Sequence, residues 1–372
     1  MSEFRIRKLT DRAGTGAPNF TYGLNINGSD SGMLGVIHTV GSSEPSNPSN
    51  SDTWWDTGND KYYVYVNDVW REYSITTSGI AWGGNRALVT GNNGVNIDYF
   101  DMTGTSNAAD FGDLSGSYNS NDRSVSSSSR GIFTRQNNES MDYVTIATPG
   151  NGTDFGDLID TDRGQAGCSD GTYGVMGGGY GAIITAGYKN SIFYVTIATP
   201  SNATDFGDRT ITGGYASGAG NATRGLFFGV FTNSSPQTTN VIDYVTIASP
   251  GNATDFGDLS YPSGFNAAAS DATRAVCAIG LDSVASTVRN NIDYVTVATT
   301  GNATDFGDLT EAKEDSSACG NGTRVVFNGG NKNPGQTDRV EYITVQTTGN
   351  ATDLLDLTST NYRTASCAGN AS

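Results

Sequence analysis

Five copies of the tripeptide Asp-Phe-Gly, each followed at once by a second Asp, are the residues of this chain most suggestive of chemistry. Paired carboxylates can ligate calcium, which takes oxygen donors, or divide the acid and nucleophile roles of glycoside hydrolysis. Asp-Phe-Gly is also the magnesium-binding triplet of protein kinases. Kinase chemistry is excluded, because the chain has no Gly-rich phosphate loop, no His-Arg-Asp triplet and no strand lysine beside these motifs. Calcium is disfavoured by geometry: Asp154 and Asp157, or Asp305 and Asp308, are three apart in extended segments and face opposite sides unless a bulge intervenes. The structural expectation is that the first Asp ends a turn and the second bonds backbone or a neighbouring unit. Hydrolysis is disfavoured by repetition, since an active site needs residues that break symmetry. The sole histidine, His38, lies outside the repeats and leaves an imidazole acid or base without partners. No enzymatic activity, metal or cofactor is expected.

The remaining candidate groups read as structural. Cys168, Cys277, Cys319 and Cys367 are scattered and form no CxxC pair, so buried free thiols are expected. Asn-x-Thr triplets such as Asn202-Ala203-Thr204 read as turn chemistry, because MSEFRIRKLTDR lacks the apolar run of a secretory leader. A net charge of −17 argues against nucleic acid, whose phosphates require clustered Lys and Arg. No apolar stretch reaches membrane-spanning length, so membrane insertion is not expected.

The elements that carry these residues are repeats. With 49 glycines and many Asn, Ser and Thr, the 372-residue chain reads as short strands joined by tight turns. YVTIATPGNGTDFGDL starts at Tyr143 and recurs from Tyr194, Tyr244, Tyr294 and Tyr342, with a weaker copy from Tyr99. The intervals are 44, 51, 50, 50 and 48 residues, and Tyr always precedes the first Asp by 11. That period fits a four-stranded propeller blade.

Each unit parses into a small-residue strand one (Ser316–Gly320, Asn266–Ser270, Tyr215–Gly218) and a strand two such as Arg324-Val-Val-Phe. Strand three reads Ile-Asp-Tyr-Val-Thr-Ile, and a constant Pro-Gly-Asn-Ala-Thr turn leads to strand four, Asp-Phe-Gly-Asp-Leu. The chain finishes in a segment matching only strand one, whereas the first copy, from Arg86, lacks it. The C-terminal strand is therefore expected to complete the first blade and close a six-bladed, all-β propeller over 81–372. The repeated Tyr and Phe are expected to pack between blades.

The strand order resembles the kelch repeat, whose second strand ends in a Gly-Gly pair as Phe327-Asn328-Gly329-Gly330 does. Where kelch strand four usually carries Trp, this chain has Phe111, Phe155, Phe206, Phe256, Phe306 and Leu354.

Residues 1–80 differ in composition. All four tryptophans, Trp54, Trp55, Trp70 and Trp82, fall within the first 82 residues. A polar Pro45–Ser51 linker precedes two strands around Gly-Asn-Asp, which read as a hairpin with an aromatic face packed on itself or on a partner copy, in a small β-rich domain. The Asp-Thr-Trp-Trp-Asp-Thr strand, the turn and the Tyr-Val-Tyr strand resemble a segment of structural and tail-fibre proteins of tailed bacteriophages. The opening Ile6-Arg-Lys-Leu-Thr-Asp-Arg-Ala-Gly-Thr-Gly-Ala-Pro-Asn-Phe is also similar to the start of phage fibre-type proteins. The resemblance implies a virion protein. It further implies that residues 1–80 attach to other virion proteins and to sister subunits, a homotrimer being one such assembly, and that the distal part meets the host.

Strand alternation places the one-to-two and three-to-four turns on one propeller face and the two-to-three and four-to-one loops on the other. The first set is nearly constant, and both Arg86 and the C-terminus fall on its side, so the N-terminal domain is expected to mount the propeller from behind. The second set varies over Gly91–Asn96, Gly177–Ser191, Gly229–Asn240, Gly280–Asn291 and Gly329–Asp338. Variable loops on a rigid scaffold are where binding concentrates. Candidate receptor-binding residues are Tyr180, Tyr188 and Lys189, then Phe231 and Asn233, Arg289, and Asn331 and Lys332. Tyr118, Tyr261, Phe265 and Tyr362 join them from four-to-one loops. The function expected is host-surface adhesion, to glycan or protein, by a tail-fibre-type appendage. The alternatives are a structural capsid decoration, head fibre or neck appendage and, more distantly, a glycan-degrading spike.

Overall fold

A computed structural model of the chain describes residues 38–49, 52–56, 61–66, 69–72, 84–91, 94–116, 123–135, 139–159, 162–181 and 186–371. The chain divides into two compact units, Met1–Ser78 and Gly79–Ser372. Among the described residues every regular element is a strand, and no helix is long and apolar enough to cross a membrane.

In the first unit His38–Gly41 pairs parallel with Thr53–Asp56, which is antiparallel to Lys61–Val66, itself antiparallel to Val69–Glu72. The expected hairpin is present, and its aromatic face packs on itself. Trp54 stacks on Tyr63 at 4.9 Å and meets the edge of Trp70 at 5.9 Å, while its indole N–H donates to the Gly41 carbonyl at 3.0 Å. A buried Trp thus satisfies its polar end as well as its apolar body. Trp82 lies outside the described residues.

The second unit is a six-bladed β-propeller. Blade 1 comprises Arg86–Thr90, Asn96–Asp101 and Ala109–Asp113, completed on its inner side by Ala365–Gly369. Five residue pairs join that terminal strand to Arg86–Thr90, from Ala365 opposite Thr90 to Gly369 opposite Arg86. The ring is therefore closed by pairing of the chain's end with its beginning, and no sheet edge is left open there. Blades 2 to 6 follow in sequence, with inner strands Ser124–Ser126, Ala166–Ser169, Ser217–Gly220, Ala267–Ser270 and Ser317–Gly320. In blade 4 the inner strand starts two residues later than the sequence reading placed it, which moves Tyr215 out of the sheet.

Buried side chains among the described residues gather into six clusters, one at each blade junction. Phe256 and Leu259 of blade 4 pack on Val295 and Val297 of blade 5, and Phe306 and Leu309 repeat this against Ile343 and Val345 of blade 6. Fully burying one such Phe contributes roughly 1.5–3 kcal/mol, so cohesion resides between blades, as expected for the repeated aromatics. In five blades the Tyr meets its blade's Phe edge-on, as Tyr294 and Phe306 do at 6.0 Å, whereas blade 6 has Leu354 in place of the Phe. The inner strands are small because they converge on the axis. A Cβ on Gly218 would lie 2.5 Å from the Gly167 carbonyl oxygen. They line a central cavity of about 100 Å³.

Candidate functional site

The two propeller faces are built differently. On the face of the short turns, every junction carries the same stitch. The turn Asn of one blade accepts a hydrogen bond from the backbone N–H of the second Asp of the preceding blade. Asn302 takes this bond from Asp258 at 3.1 Å and Asn350 from Asp308 at 3.1 Å, and Asn107 takes it from Asp356 at 3.2 Å across the ring closure. The Asn-Ala-Thr triplets are therefore turn chemistry, as read from the sequence. In five blades an Arg opening strand two lies over its own blade's Tyr and donates to a carbonyl of the next blade. Arg274 sits 4.6 Å from the Tyr294 ring centre and donates to Val345 O at 3.2 Å. Blade 3 has Tyr173 at this position, set edge-on to Tyr194 at 5.7 Å.

A β-bulge interrupts strands three and four of all six blades. In blade 5, Ile292 opposes Gly307 while Asp293 opposes Asp305, so Phe306 is the extra residue and enters the core. The strict alternation used against calcium is thus broken at the motif itself. Even so, no group of three His, Cys, Asp or Glu among the described residues is placed to hold a metal.

The strand-three carboxylate has a role the sequence reading missed. It is buried in five blades, as Asp98, Asp142, Asp243, Asp293 and Glu341. It accepts from the residue two places after the second Asp of the preceding blade's strand-four motif. Asp293 takes the Ser260 N–H at 2.7 Å and hydroxyl at 2.8 Å, and Asp98 takes the Thr358 N–H at 3.0 Å and hydroxyl at 2.8 Å across the closure. Burial holds both carboxyls above the usual range, against the pull of these bonds. Buried cations reinforce two latches: Arg209 lies 3.0 Å from Asp243 and Lys313 2.7 Å from Glu341. At the junction of blades 2 and 3 both partners are replaced, by Ile159 and Phe193.

On the loop face three of the five segments expected as loops carry strand. Tyr173–Gly181 and Gly187–Thr196 run on as a protruding hairpin, as do Arg224–Phe231 and Thr238–Thr246. Leu281–Asp282 pairs with Thr287–Val288 as a small ribbon. The residue two places before each inner strand has left-handed backbone in five blades: Gly164, Tyr215, Phe265, Asp315 and Arg363, at φ between 54° and 70°. Their backbones form a chain of hydrogen bonds around the axis. Tyr215 N donates to Gly164 O at 2.7 Å, Phe265 N to Tyr215 O at 2.7 Å, Asp315 N to Phe265 O at 2.9 Å, and Arg363 N to Asp315 O at 2.6 Å. Four non-glycine residues in this conformation store strain that this chain of hydrogen bonds holds in place.

Four of the predicted residues meet on this rim. Tyr180 and Tyr188 lie 5.1 Å apart, Tyr188 is 6.2 Å from Phe231, and Phe231 is 5.2 Å from Phe265. Tyr215, missed because it was read as strand, is the hub: it stacks on Phe265 at 4.5 Å and touches Tyr188 and Phe231. The absent side chain at Gly164 makes room for it, since a Cβ there would meet the Tyr215 ring at 2.7 Å. Burial, with Tyr215 and Tyr180 alongside, pushes the Tyr188 phenol up to about 12.

The other candidates stand apart from the cluster. Arg289 caps the Tyr261 ring at 3.6 Å and pairs with Asp282 at 2.7 Å; Tyr261 itself lies in strand Thr254–Ser263 rather than in a loop. Lys332 pairs with Glu311 at 2.8 Å, and Asn331 bridges to Glu314. Tyr362 lies under Arg363 at 5.2 Å. Asn233 is exposed at a hairpin tip, Lys189 lies in strand Gly187–Thr196 opposite Gly179, and Tyr118 is outside the described residues. Beside the cluster, burial pushes the Asp315 carboxyl up to about 7, with Arg363 and Arg123 opposing. The thiols are all free and buried, and burial raises Cys168 and Cys319 to about 12, which leaves them unreactive. His38 belongs to the first unit.

Compared with known proteins, the chain matches no protein-family model, and no curated protein is significantly similar to it.

Proposed function

We propose that the chain is a non-enzymatic virion protein of a tailed bacteriophage, a tail-fibre-type appendage whose propeller binds the host cell surface. One observation carries the binding role: the turn face repeats the same stitches from blade to blade, whereas among the described residues the loop face gathers an aromatic cluster at one place. Symmetric residues hold the ring together, and the residues that break symmetry are the ones free to serve recognition. Half-buried Tyr and Phe with Arg beside them are the composition of binding surfaces. The placement in a virion rests on the resemblance of residues 1–80 to phage structural proteins. The non-enzymatic reading rests on the carboxylates, which serve as buried latches or recur by symmetry.

The test is binding of the full-length labelled protein to cells of the bacterium that the phage infects, together with immunogold labelling of purified particles. Saturable binding, and gold on particles, are the expected results. Labelled particles without cell binding would make the protein a structural decoration, and sugar release from envelope polysaccharide would make it a degrading spike.

A further inference from the structure

Within the loop face one place combines open hydrogen-bonding groups, ring faces and positive charge. Among the described residues the hydroxyls of Tyr180, Tyr188 and Tyr215 have no hydrogen-bond partner, although all three rings are only half-buried. Arg163 lies over Tyr180 at 5.0 Å, has no carboxylate within ion-pair distance among the described residues, and leaves its buried Nε without an acceptor. The positive charges of Arg163 and Arg363 both act on the Tyr215 phenol. By contrast, Arg289, Lys332 and Arg339 each face a carboxylate.

We propose that Arg163, Tyr180, Tyr188, Tyr215 and Phe231 form a binding site for an acidic sugar residue of a surface polysaccharide, one bearing a carboxylate or phosphate. The proposal rests on the host-surface reading above and names the ligand class and the site. A guanidinium matches a carboxylate or phosphate with two parallel N–H donors. The C–H face of a pyranose is apolar and lies on an aromatic ring, while its hydroxyls reach the phenols at the ring edge. Net charge favours this placement. With −17 overall and two carboxylates on every outermost strand, the walls of the ring repel an acidic glycan. On the loop face, where Arg289, Lys332 and Arg339 face carboxylates, attraction centres on Arg163 beside the ring faces. The strained rim holds Tyr215 in place before the ligand arrives, which reduces the ordering cost of binding.

The test is binding of the full-length protein to an array of acidic and neutral bacterial polysaccharides at low and high salt. R163Q, R163K and Y188A are compared, with R289Q as a control on the same face, and unchanged melting shows that each variant is folded. Expected are binding to acidic glycans that weakens with salt, a loss of at least tenfold in R163Q and Y188A, a partial loss in R163K, and none in R289Q. Retention of binding by R163Q and Y188A, or equal binding to neutral glycans, overturns the assignment. Absence of glycan binding alongside protease-sensitive adhesion to cells also overturns it, while leaving host-surface binding intact. Failure to bind cells at all removes the host-surface reading and this site with it.

Discussion

Replacing Gly307 by Ala should destabilise the propeller in a way the geometry specifies. Gly307 follows the extra residue of the blade 5 bulge, at φ +145°, a backbone region L side chains rarely adopt. A Cβ there would lie 2.5 Å from both the carbonyl carbon and the oxygen of Gly349, in the turn of blade 6. Backbone cannot rotate away as a side chain can. The same turn supplies the Asn350 acceptor and the Gly349 N–H that donates to Phe306 O at 2.8 Å, so relief of the clash breaks part of that stitch. Strain at such a position costs about 1–3 kcal/mol and overpacking about 1–3 kcal/mol. A total of about 3 kcal/mol corresponds, for a unit the size of Gly79–Ser372, to a fall in Tm of about 5 °C. The assay is calorimetric melting of G307A against the parent, with L355G as the companion, because the last copy has Leu where the others have Gly. L355G should not stabilise, since Leu355 is buried in the junction of blades 6 and 1. An unchanged Tm for G307A would refute the claim that close approach of neighbouring blades dictates this glycine.

Three further outcomes follow from the same geometry. At the junction lacking a carboxylate latch, F193D alone should cost about 3–5 kcal/mol as a buried unpaired charge. Adding I159S should recover about 1.5–3 kcal/mol; a double-mutant cycle in urea with no coupling would dismiss the latch. Asp315 is held at about 7 against an ordinary value of 3.8, so its contribution is fully present below about pH 4 and is lost as pH rises to about 7. That loss is on the order of 4 kcal/mol, and D315N should remove this component, so a Tm difference between D315N and parent that does not grow from pH 4 to pH 7 would show the carboxyl to be normal. Ending the chain at Tyr362 removes Ala365–Gly369 and bares the Arg86–Thr90 edge. Such a protein should self-associate in a concentration-dependent way by light scattering, and a stable monomer would show that the terminal strand is not what closes the ring.

The repeat alone determined the architecture, because a fixed spacing from Tyr to Asp can be met only by one hairpin reused in each blade. Ring closure was legible for the same reason: a unit short of strand one at its start and an orphan strand one at its end fit each other. Turn chemistry at Asn-Ala-Thr, the free thiols and the interblade packing of Phe256 and Phe306 also followed from residue type and position. Tertiary structure decided what depends on neighbours. Alternation of two places Asp293 on a strand but says nothing of the Ser260 that arrives from the preceding blade, so the latch was invisible although its residues recur. The bulge at Phe306 breaks the very periodicity that sequence reading uses. The strand boundary beside Tyr215 is not legible, because small-residue strands have no sharp edge in sequence, whereas the backbone turns left-handed there and joins the hydrogen-bonded rim. Only the packing of the neighbouring blades 3, 4 and 5 then brings Tyr180, Tyr188, Tyr215, Phe231 and Phe265 together. Meanwhile Arg289 and Lys332, equally suggestive in sequence, are drawn into ion pairs with Asp282 and Glu311. Local pattern fixes the blade, but contacts between blades, distant in sequence, select which loop residues form a site.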